Sequence, residues 1–205
     1  MFITFEGING CGKSTQSKML VKALIDTGFD VVQTKEPGGG TEFCKEIRRS
    51  ILFHPEISTK TELFAFYADR NEHLEKVILP ALKNNKIVVC DRYVDSTYAY
   101  QCYGENAGNE QFISTLHSIA GNVMPDITFL IDISVEESTR RIAEWIATSE
   151  KKYDLMPEKT LQEIRSAYLK LAEKFKDRIV LINGERSKQE VFQDIWNIVS
   201  AKIGK

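Results

Sequence analysis

The sequence predicts a three-layer α/β/α fold in which helices cover both faces of a five-stranded parallel sheet. Short, continuously apolar stretches alternate with longer segments of helical periodicity along all 205 residues. A strand without polar positions is buried on both faces, and parallel sheets covered by helices bury their strands in this way. A composition of 42% hydrophobic and 27% charged residues suits one substantial core. We therefore expect a single domain over residues 1–205.

The order of the elements follows from apolar runs and helical spacing. Runs rich in β-branched and aromatic residues predict five strands, at Phe2–Phe5, Asp30–Thr34, Ile87–Cys90, Ile127–Ile131 and Ile179–Ile182. Amphipathic spacing predicts helices at Lys13–Thr27, Glu42–Phe53, Thr59–Asn85, Glu110–Ala120, Val135–Ala147, Leu161–Phe175 and Gln189–Lys202. Gly28 is the expected stop of the first helix, and Pro80 is expected to kink or interrupt the third.

Charge and composition argue against several classes of protein. A net charge of −2, with both signs spread along the chain, gives no basic surface for a nucleic-acid polymer. No apolar run has the length of a membrane span, and the sequence starts directly with a predicted strand, so a cytoplasmic protein is expected. The four cysteines lack C-x-x-C spacing and the three histidines do not cluster with them, which argues against zinc and structural disulfides.

The segment Gly7-Ile8-Asn9-Gly10-Cys11-Gly12-Lys13-Ser14 matches G-x-x-x-x-G-K-[ST] between a predicted strand and a predicted helix. Its glycines let the backbone N–H groups face inward, and the helix N-terminus adds positive potential, so a nucleoside triphosphate is the natural occupant. Lys13 would reach the β and γ phosphates, and the Ser14 hydroxyl would ligate Mg²⁺. The motif predicts the P-loop NTPase type of fold, with nucleotide contacts from Gly7, Asn9, Gly10, Cys11, Gly12, Lys13, Ser14 and Thr15.

Polar residues directly follow the predicted strands, where ligands bind in parallel sheets. Asp91 follows the third strand and is suited to hold Mg²⁺ through water or to orient the acceptor of a phosphoryl group. Arg92 would neutralise the oxygens of that group. The alternative for Asp91 and Arg92 is a salt bridge that caps the strand end.

Five short segments, spread in order over essentially the whole chain, together resemble a known family. They are Phe5-Glu6-Gly7, Glu36-Pro37-Gly38-Gly39, Phe66-Tyr67-Ala68-Asp69-Arg70, Asp91-Arg92-Tyr93 and Ser96-Thr97-Tyr98-Ala99-Tyr100-Gln101. In content and order they resemble the thymidylate kinase family. The resemblance implies transfer of the γ-phosphoryl group of ATP to thymidine monophosphate (dTMP) with Mg²⁺, and a homodimer.

The resemblance also implies a base site. Phe66 corresponds to the aromatic residue that stacks on thymine, although core packing is the alternative suggested by its apolar neighbours. Arg70 corresponds to the arginine that reads a base carbonyl; a donor at O4 disfavours cytosine, which presents an amino group there. Ser96, Thr97 and Gln101 correspond to the segment beside the base, and Tyr100 to a residue near the sugar.

Further acceptor contacts follow from the same resemblance. Arg48 and Arg92 correspond to arginines that hold the acceptor phosphate, with Arg49 as an alternative to Arg48. Glu36 belongs to the second matching segment and is counted among the acceptor-binding residues. Asn9 occupies a position where the family most often carries an acidic residue that contacts the sugar hydroxyl, and an amide retains the hydrogen bond. One glycine more than usual, in Gly38-Gly39-Gly40, is expected to loosen the placement of Arg48.

A mobile lid at about residues 141–155 is the last implied feature. The phosphate loop lacks an arginine, and in such family members the segment after strand four supplies lid arginines. Counting back from Tyr168 places Lys152 at the position of a lid arginine, where lysine keeps the positive charge but lacks the rigid fork of donors that a guanidinium has. The alternative is that residues 150–152 form a run of charged residues exposed to solvent. Arg141 corresponds to a residue that packs on adenine. Asn183 is expected in the adenine wall, or simply in a turn.

Other functions remain open on the sequence alone. A deoxynucleoside kinase shares the loop and sheet but phosphorylates a neutral hydroxyl and needs a carboxylate base. A kinase for a different nucleoside monophosphate and a non-catalytic nucleotide-binding module are further alternatives. A GTP-binding switch protein is disfavoured, because neither D-x-x-G nor N-K-x-D occurs in the chain.

Overall fold

A parallel sheet in the order β2-β3-β1-β4-β5 forms the centre of the computed structural model, which describes residues 1–54, 56–104, 106–144, 153 and 156–204. Within that part of the chain the strands are β1 Phe2–Glu6, β2 Val31–Lys35, β3 Ile87–Asp91, β4 Ile127–Asp132 and β5 Ile179–Asn183. Helices cover both sides of the sheet, so the predicted fold class is confirmed.

Each strand runs one residue past its predicted end. The added residues are polar, namely Glu6, Lys35, Asp91, Asp132 and Asn183. Apolar runs stop at the first polar side chain, whereas the backbone ladder continues: Phe5 and Lys35 both pair with Asp91, and Asp132 pairs with Asn183. The strand order reverses direction around β1, which opens a crevice at this carboxyl edge.

The helices of the described residues are α1 Lys13–Asp26, α2 Glu42–Phe53, α3 Thr59–His73, α4 Leu79–Lys83, α5 Val94–Thr97, α6 Glu110–Ile119, α7 Val135–Ala143, α8 Glu158–Lys174 and α9 Lys188–Lys202. The helix predicted at Val135–Ala147 ends at Ala143, and residues 145–150 lie outside the described residues. Helix α8 begins three residues before its predicted start, with Pro157 at the N-cap.

Two π-helical segments were not predicted. The first, Leu74–Ile78, joins α3 to α4 directly before Pro80. A proline ring collides with the carbonyl four residues back, and a wider turn relieves that collision, so the interruption lies before Pro80 rather than at it. The second, Tyr98–Gly104, continues α5 in a stretch where only a family motif had been recognised. Spacing rules based on 3.6 residues per turn do not detect segments whose hydrogen bonds join residues i and i+5.

The core lies on both faces of the sheet because neighbouring strand residues point in opposite directions. Ile3 packs in a cluster with Leu20 and Leu24 of α1, while Phe2 packs in another with Ile78 and Val88. The four cysteines are buried and unpaired. Among the described residues, no helix combines the length and apolar character needed to cross a bilayer. This packing leaves the carboxyl edge of the sheet as the place where polar side chains converge.

Candidate active site

A cavity of 630 Å³ lies at the carboxyl edge of the sheet, between the phosphate loop and helices α2, α3 and α5. It brings together most of the residues predicted from the sequence. The predicted residues that line it are Asn9, Gly10, Gly12, Lys13, Ser14, Thr15, Glu36, Arg48, Phe66, Arg70, Asp91, Arg92, Ser96, Thr97, Tyr100 and Gln101. Gly7, Cys11, Arg141 and Asn183 are not among its lining residues, and Lys152 lies outside the described residues.

The phosphate loop depends on glycine at its turns. Gly7, Gly10 and Gly12 have φ values of 136°, 76° and 101°, a region that side chains disfavour. A Cβ on Gly7 would also lie 2.4 Å from the carbonyl oxygen of Ile131. Gly7 is therefore needed for the conformation of the loop, although it does not line the cavity. Gly12 is the N-cap of α1, whose N-terminus faces the cavity.

Lys13 is held at the mouth of the loop. Its Nζ donates hydrogen bonds to the carbonyl oxygens of Gly7 at 3.0 Å and Ile8 at 2.9 Å, and lies 3.5 Å from the Sγ of Cys11. Burial, with a further contribution from Arg92, lowers the pKa of Lys13 below its ordinary value. The buried ammonium is a strong candidate partner for an anion, because a nearby negative charge would restore its pKa.

Ser14 and Asp91 meet across the loop. The Ser14 hydroxyl donates a short hydrogen bond to Oδ2 of Asp91. A hydroxyl and a carboxylate are hard oxygen ligands that suit Mg²⁺, which takes few protein ligands and completes its shell with water and phosphate. No group of three or more histidine, cysteine, aspartate or glutamate residues in the described part of the chain forms a fuller metal cage. The donor set therefore fits Mg²⁺ on a nucleotide.

Arg92 has a backbone conformation that is rare for a side-chain-bearing residue, with φ of 70°. Its Nη1 donates to the carbonyl oxygen of Gly7 at 3.1 Å, and Nη2 donates to Oδ1 of Asn9 and, at 3.2 Å, to the hydroxyl of Tyr100. Within the described part of the chain its guanidinium donates to these groups rather than to Asp91, which accepts from Ser14, so the contacts do not support the alternative of a salt bridge between these neighbours. The guanidinium is instead presented beside the phosphate loop.

Arg70 is 1% exposed, yet it lines the cavity. Its Nε donates to Oε2 of Glu36 at 2.9 Å and its Nη2 to the hydroxyl of Thr97 at 3.0 Å, whereas Nη1 has no partner among the described residues. Burial opposes ionisation of Glu36, but Arg70 and the ring of His73 outweigh it and lower the pKa of this carboxyl. The pair is therefore charged, with one donor still unused.

Phe66 is partly exposed on the wall of the cavity, one helical turn before Arg70. It is absent from the core clusters, so simple core packing does not describe it. Gln101 also lines the cavity, and its Nε2 lies 3.5 Å from Oε1 of Glu62. The ring of Phe66, the amide of Gln101 and the Nη1 donor of Arg70 together form a surface that suits a planar base with polar groups at its edge.

Arg48 reaches the cavity from α2, with its Nη1 donating to the carbonyl oxygen of Pro37 at 2.9 Å. Gly38 lies against Arg48, since a Cβ there would come 2.6 Å from Cδ of Arg48, so this glycine packs on the side chain that the extra glycine is expected to loosen. The N–H of Gly38 is fixed in turn by Oδ1 of Asp69, at 2.9 Å. Arg49 is exposed and does not line the cavity, which favours Arg48 as the anion ligand.

Arg141 and Asn183 lie on the other side of the phosphate loop. Arg141 donates to the carbonyl oxygens of Gly10 at 3.3 Å and Gly184 at 2.9 Å, and so connects the loop to the end of β5. The side chain of Asn183 is exposed and accepts the N–H of Glu185 at 2.9 Å, as a turn residue does. Arg141, rather than Asn183, contacts the phosphate loop.

Three residues of the site escaped prediction. Tyr153 lines the cavity, and its carbonyl oxygen accepts the Nδ2 of Asn9 at 3.3 Å. Glu6 and Tyr168 are buried behind Arg92. Glu6 had a usable signal, a charged residue that ends an otherwise apolar strand. Tyr168 had none, because it is one aromatic among the apolar residues of an amphipathic helix.

Comparison with known proteins agrees with this geometry. The family model described as thymidylate kinase matches residues 5–195. The thymidylate kinase of Acholeplasma laidlawii is 37% identical over 205 residues, covering 99% of this chain and 100% of that protein. That of Aster yellows witches'-broom phytoplasma is 40% identical, covering 99% and 96%. The crystal structure of thymidylate kinase from Ehrlichia chaffeensis superimposes with a TM-score of 0.79 at 33% identity, covering 97% and 98%. The chain belongs to the thymidylate kinase family.

Proposed function

We propose that this enzyme transfers the γ-phosphoryl group of ATP to the phosphate of dTMP, yielding dTDP and ADP on the route to dTTP. One observation carries the choice of acceptor. Arg70 lines the cavity with a buried, unused Nη1 donor one helical turn from the aromatic face of Phe66. A thymine ring stacked on Phe66 presents carbonyl oxygens to such a donor, whereas cytosine presents an amino group at the corresponding position.

The donor nucleotide is proposed to occupy the phosphate loop. The β and γ phosphates accept hydrogen bonds from the loop N–H groups and from Lys13, with the adenine near Arg141 and Asn183. Ser14 and Asp91 would hold Mg²⁺, which would supply positive charge that offsets the repulsion between the nucleotide phosphates and an anionic acceptor. The contact between Ser14 and Asp91 supports this assignment.

The acceptor is proposed to lie across the cavity. Its base would contact Phe66, Arg70, Thr97 and Gln101, and its phosphate would be held by Arg48 and Arg92. Asn9 and Tyr100 would lie near the sugar. Glu36 would act by fixing Arg70, and Ser96 by its contact with Arg92, at 3.1 Å. Two guanidinium groups suit a phosphate dianion because each offers a planar fork of donors.

The proposed reaction is an in-line displacement. An acceptor phosphate oxygen forms a bond to the γ phosphorus while the bond to the β–γ bridging oxygen breaks, and the electron pair leaves with ADP. A phosphate oxygen is already anionic near neutral pH, so no general base is needed. Lys13 and Arg92, with Lys152 as a proposed lid cation, would stabilise the charge on the transferred group. Closure of a lid at about residues 141–155 would exclude water.

A deoxynucleoside kinase fits the site less well. Its neutral acceptor hydroxyl needs a carboxylate base with an accessible lone pair. Glu36 lines the cavity, but both of its oxygens accept hydrogen bonds, from Arg70 and His73 at 2.9 Å, and these partners lower its pKa. Asp91 is turned toward Ser14.

The proposal extends to assembly and location. We propose a single-domain homodimer that acts in the cytoplasm on small nucleotides rather than on nucleic-acid polymers. Phe43, Phe53 and Phe64 on α2 and α3 are exposed at 52%, 70% and 53%, a large apolar area for a surface. A second copy packed there would remove it from water.

The proposal is tested by the rate of ADP release with ATP and Mg²⁺ across a set of acceptors. We expect dTMP to be phosphorylated with a kcat/KM at least about 100-fold above that of dCMP or free thymidine, because both the base donor and the phosphate ligands are then satisfied. ATP and Mg²⁺ without any acceptor is the background control for hydrolysis. Turnover of thymidine in place of dTMP would overturn the acceptor assignment and favour the deoxynucleoside kinase.

A further inference from the structure

Behind Arg92 lies a group of buried polar side chains to which the proposed reaction gives no role. Glu6 ends β1 and is 0% exposed, and Tyr168 of α8 is 2% exposed. We propose that Glu6 and Tyr168 are positioning residues that fix Arg92 for the acceptor phosphate, Glu6 through the backbone and Tyr168 through the guanidinium. The inference rests on the proposed function, since it concerns the arginine assigned to that phosphate.

The backbone of Arg92 is held from β1. Its N–H donates to the carbonyl oxygen of Phe5 at 2.9 Å, and the N–H of the next residue, Tyr93, donates to Oε1 of Glu6 at 2.7 Å. Both contacts flank Arg92, whose φ of 70° is a backbone conformation that residues with side chains rarely adopt. A conformation of this kind persists only where its surroundings impose it. The Glu6 carboxylate supplies half of that constraint.

The side chain of Arg92 is held through two hydroxyl groups. Its Nη1 lies 3.1 Å from both Ser96 Oγ and Tyr168 Oη. These hydroxyls lie 2.6 Å and 3.0 Å from the other carboxylate oxygen, Oε2 of Glu6. A guanidinium only donates and a carboxylate only accepts, so the two hydroxyls, which also lie 2.8 Å from each other, link the donors of Arg92 to the acceptor of Glu6. The contacts share these protons, because each hydroxyl has only one proton to donate.

Charge supports the same arrangement. Burial, with a further contribution from Asp95, raises the pKa of Glu6 to about 7, and Arg92 opposes the rise. The charge of Arg92 therefore favours the ionised form of Glu6, whose Oε2 contacts the hydroxyls between them. Tyr168 follows the proposed lid in the chain, on the helix that packs against the π-helical segment Tyr98–Gly104. Among the described residues, the hydroxyl of Tyr168 makes the only hydrogen bond between α8 and Arg92.

The first test replaces Tyr168 by phenylalanine. The ring and its edge contact with Tyr100, at 6.2 Å between centroids, are kept and only the hydroxyl is lost. We expect kcat/KM for dTMP to fall about tenfold with KM for ATP unchanged, because one hydrogen bond to a charged group is removed. Thr4→Val is the matched control: Thr4 is 0% exposed on the same strand as Glu6, bonds to the hydroxyl of Thr128 at 2.7 Å, and does not line the cavity. It should lose thermal stability without loss of kcat/KM.

A double-mutant cycle with Arg92→Lys separates positioning from general damage. If Tyr168 acts through Arg92, Tyr168→Phe should change kcat/KM by less than about twofold in the Arg92→Lys background, because coupled sites are not additive. An unchanged tenfold effect in that background would overturn the inference. So would a Tyr168→Phe enzyme that matches the parent in kcat/KM for dTMP.

A crystal structure of the Glu6→Gln variant tests the support of the Arg92 side chain without any turnover. The glutamine oxygen can still accept from Tyr93, but its NH₂ group cannot accept from the two hydroxyls. We expect the Arg92 guanidinium to leave Gly7 and Asn9. A guanidinium that stays in place would overturn the inference whether or not dTMP proves to be the acceptor. Absence of turnover in the parent enzyme would instead count against the proposed function alone.

Discussion

Replacing Lys13 by alanine is expected to lower kcat roughly 10³-fold, the effect of removing one main stabilising donor from a phosphoryl-transfer site. The ammonium is 6% exposed at the mouth of the loop, where water screens charges poorly. Its present partners are the carbonyl oxygens of Gly7 and Ile8, and water entering the space that the Lys13 side chain vacates beside the cavity can bind them instead. The variant should therefore remain folded. Steady-state kinetics and a thermal melt together measure both quantities.

Lys18→Ala is the control for charge alone. Lys18 is exposed on the same helix and does not line the cavity, so its removal should leave kcat unchanged. If a folded Lys13→Ala enzyme retained kcat within about tenfold of the parent, Lys13 would not be a main donor to the transferred phosphoryl group.

Replacing Arg70 by methionine is expected to raise KM for dTMP at least about 100-fold, because the buried base donor is lost. The same change leaves Glu36 buried and without its guanidinium partner, which should cost about 3–5 kcal/mol in the free energy of unfolding. The two side chains are 2% and 3% exposed, so solvent does little to compensate. Urea unfolding and acceptor kinetics measure these two losses independently.

A second substitution separates the two roles. In the double variant Arg70→Met with Glu36→Gln, no unpaired carboxylate remains, so stability should largely return while KM for dTMP stays high. Arg178→Met is the matched control for a lost ion pair: Arg178 holds the buried Asp95 through two contacts of 2.7 Å but does not line the cavity. It should lose stability and keep its KM. Recovery of dTMP binding in the double variant would show that Arg70 is only structural.

The local order of the chain could be predicted because its signals are local. The phosphate loop follows from glycines at positions with positive φ and from a lysine at the start of a helix, and Asp91 follows from its place after a buried strand. Phe66 could be assigned to the site only through the family resemblance, because the sequence of an apolar helix face does not indicate which of its residues faces a cavity. The exposed fraction of each side chain is a property of the packed protein.

The support behind Arg92 could not be predicted, since it joins residues that are far apart in the chain. Glu6, Ser96 and Tyr168 lie up to 162 positions from one another, and their relation depends on a π-helical segment and a left-handed turn. The packing of Gly38 against Arg48 could not be predicted for a similar reason, since it joins a turn to a neighbouring helix.

The most direct measurement is the fate of the γ phosphate. Purified enzyme is incubated with Mg²⁺, dTMP and ATP labelled only in its γ phosphate, and the products are separated by anion exchange. The account predicts that the label appears in dTDP, in equal amount to the ADP formed, and that the Lys13→Ala variant forms almost none. Label found only in inorganic phosphate would contradict it.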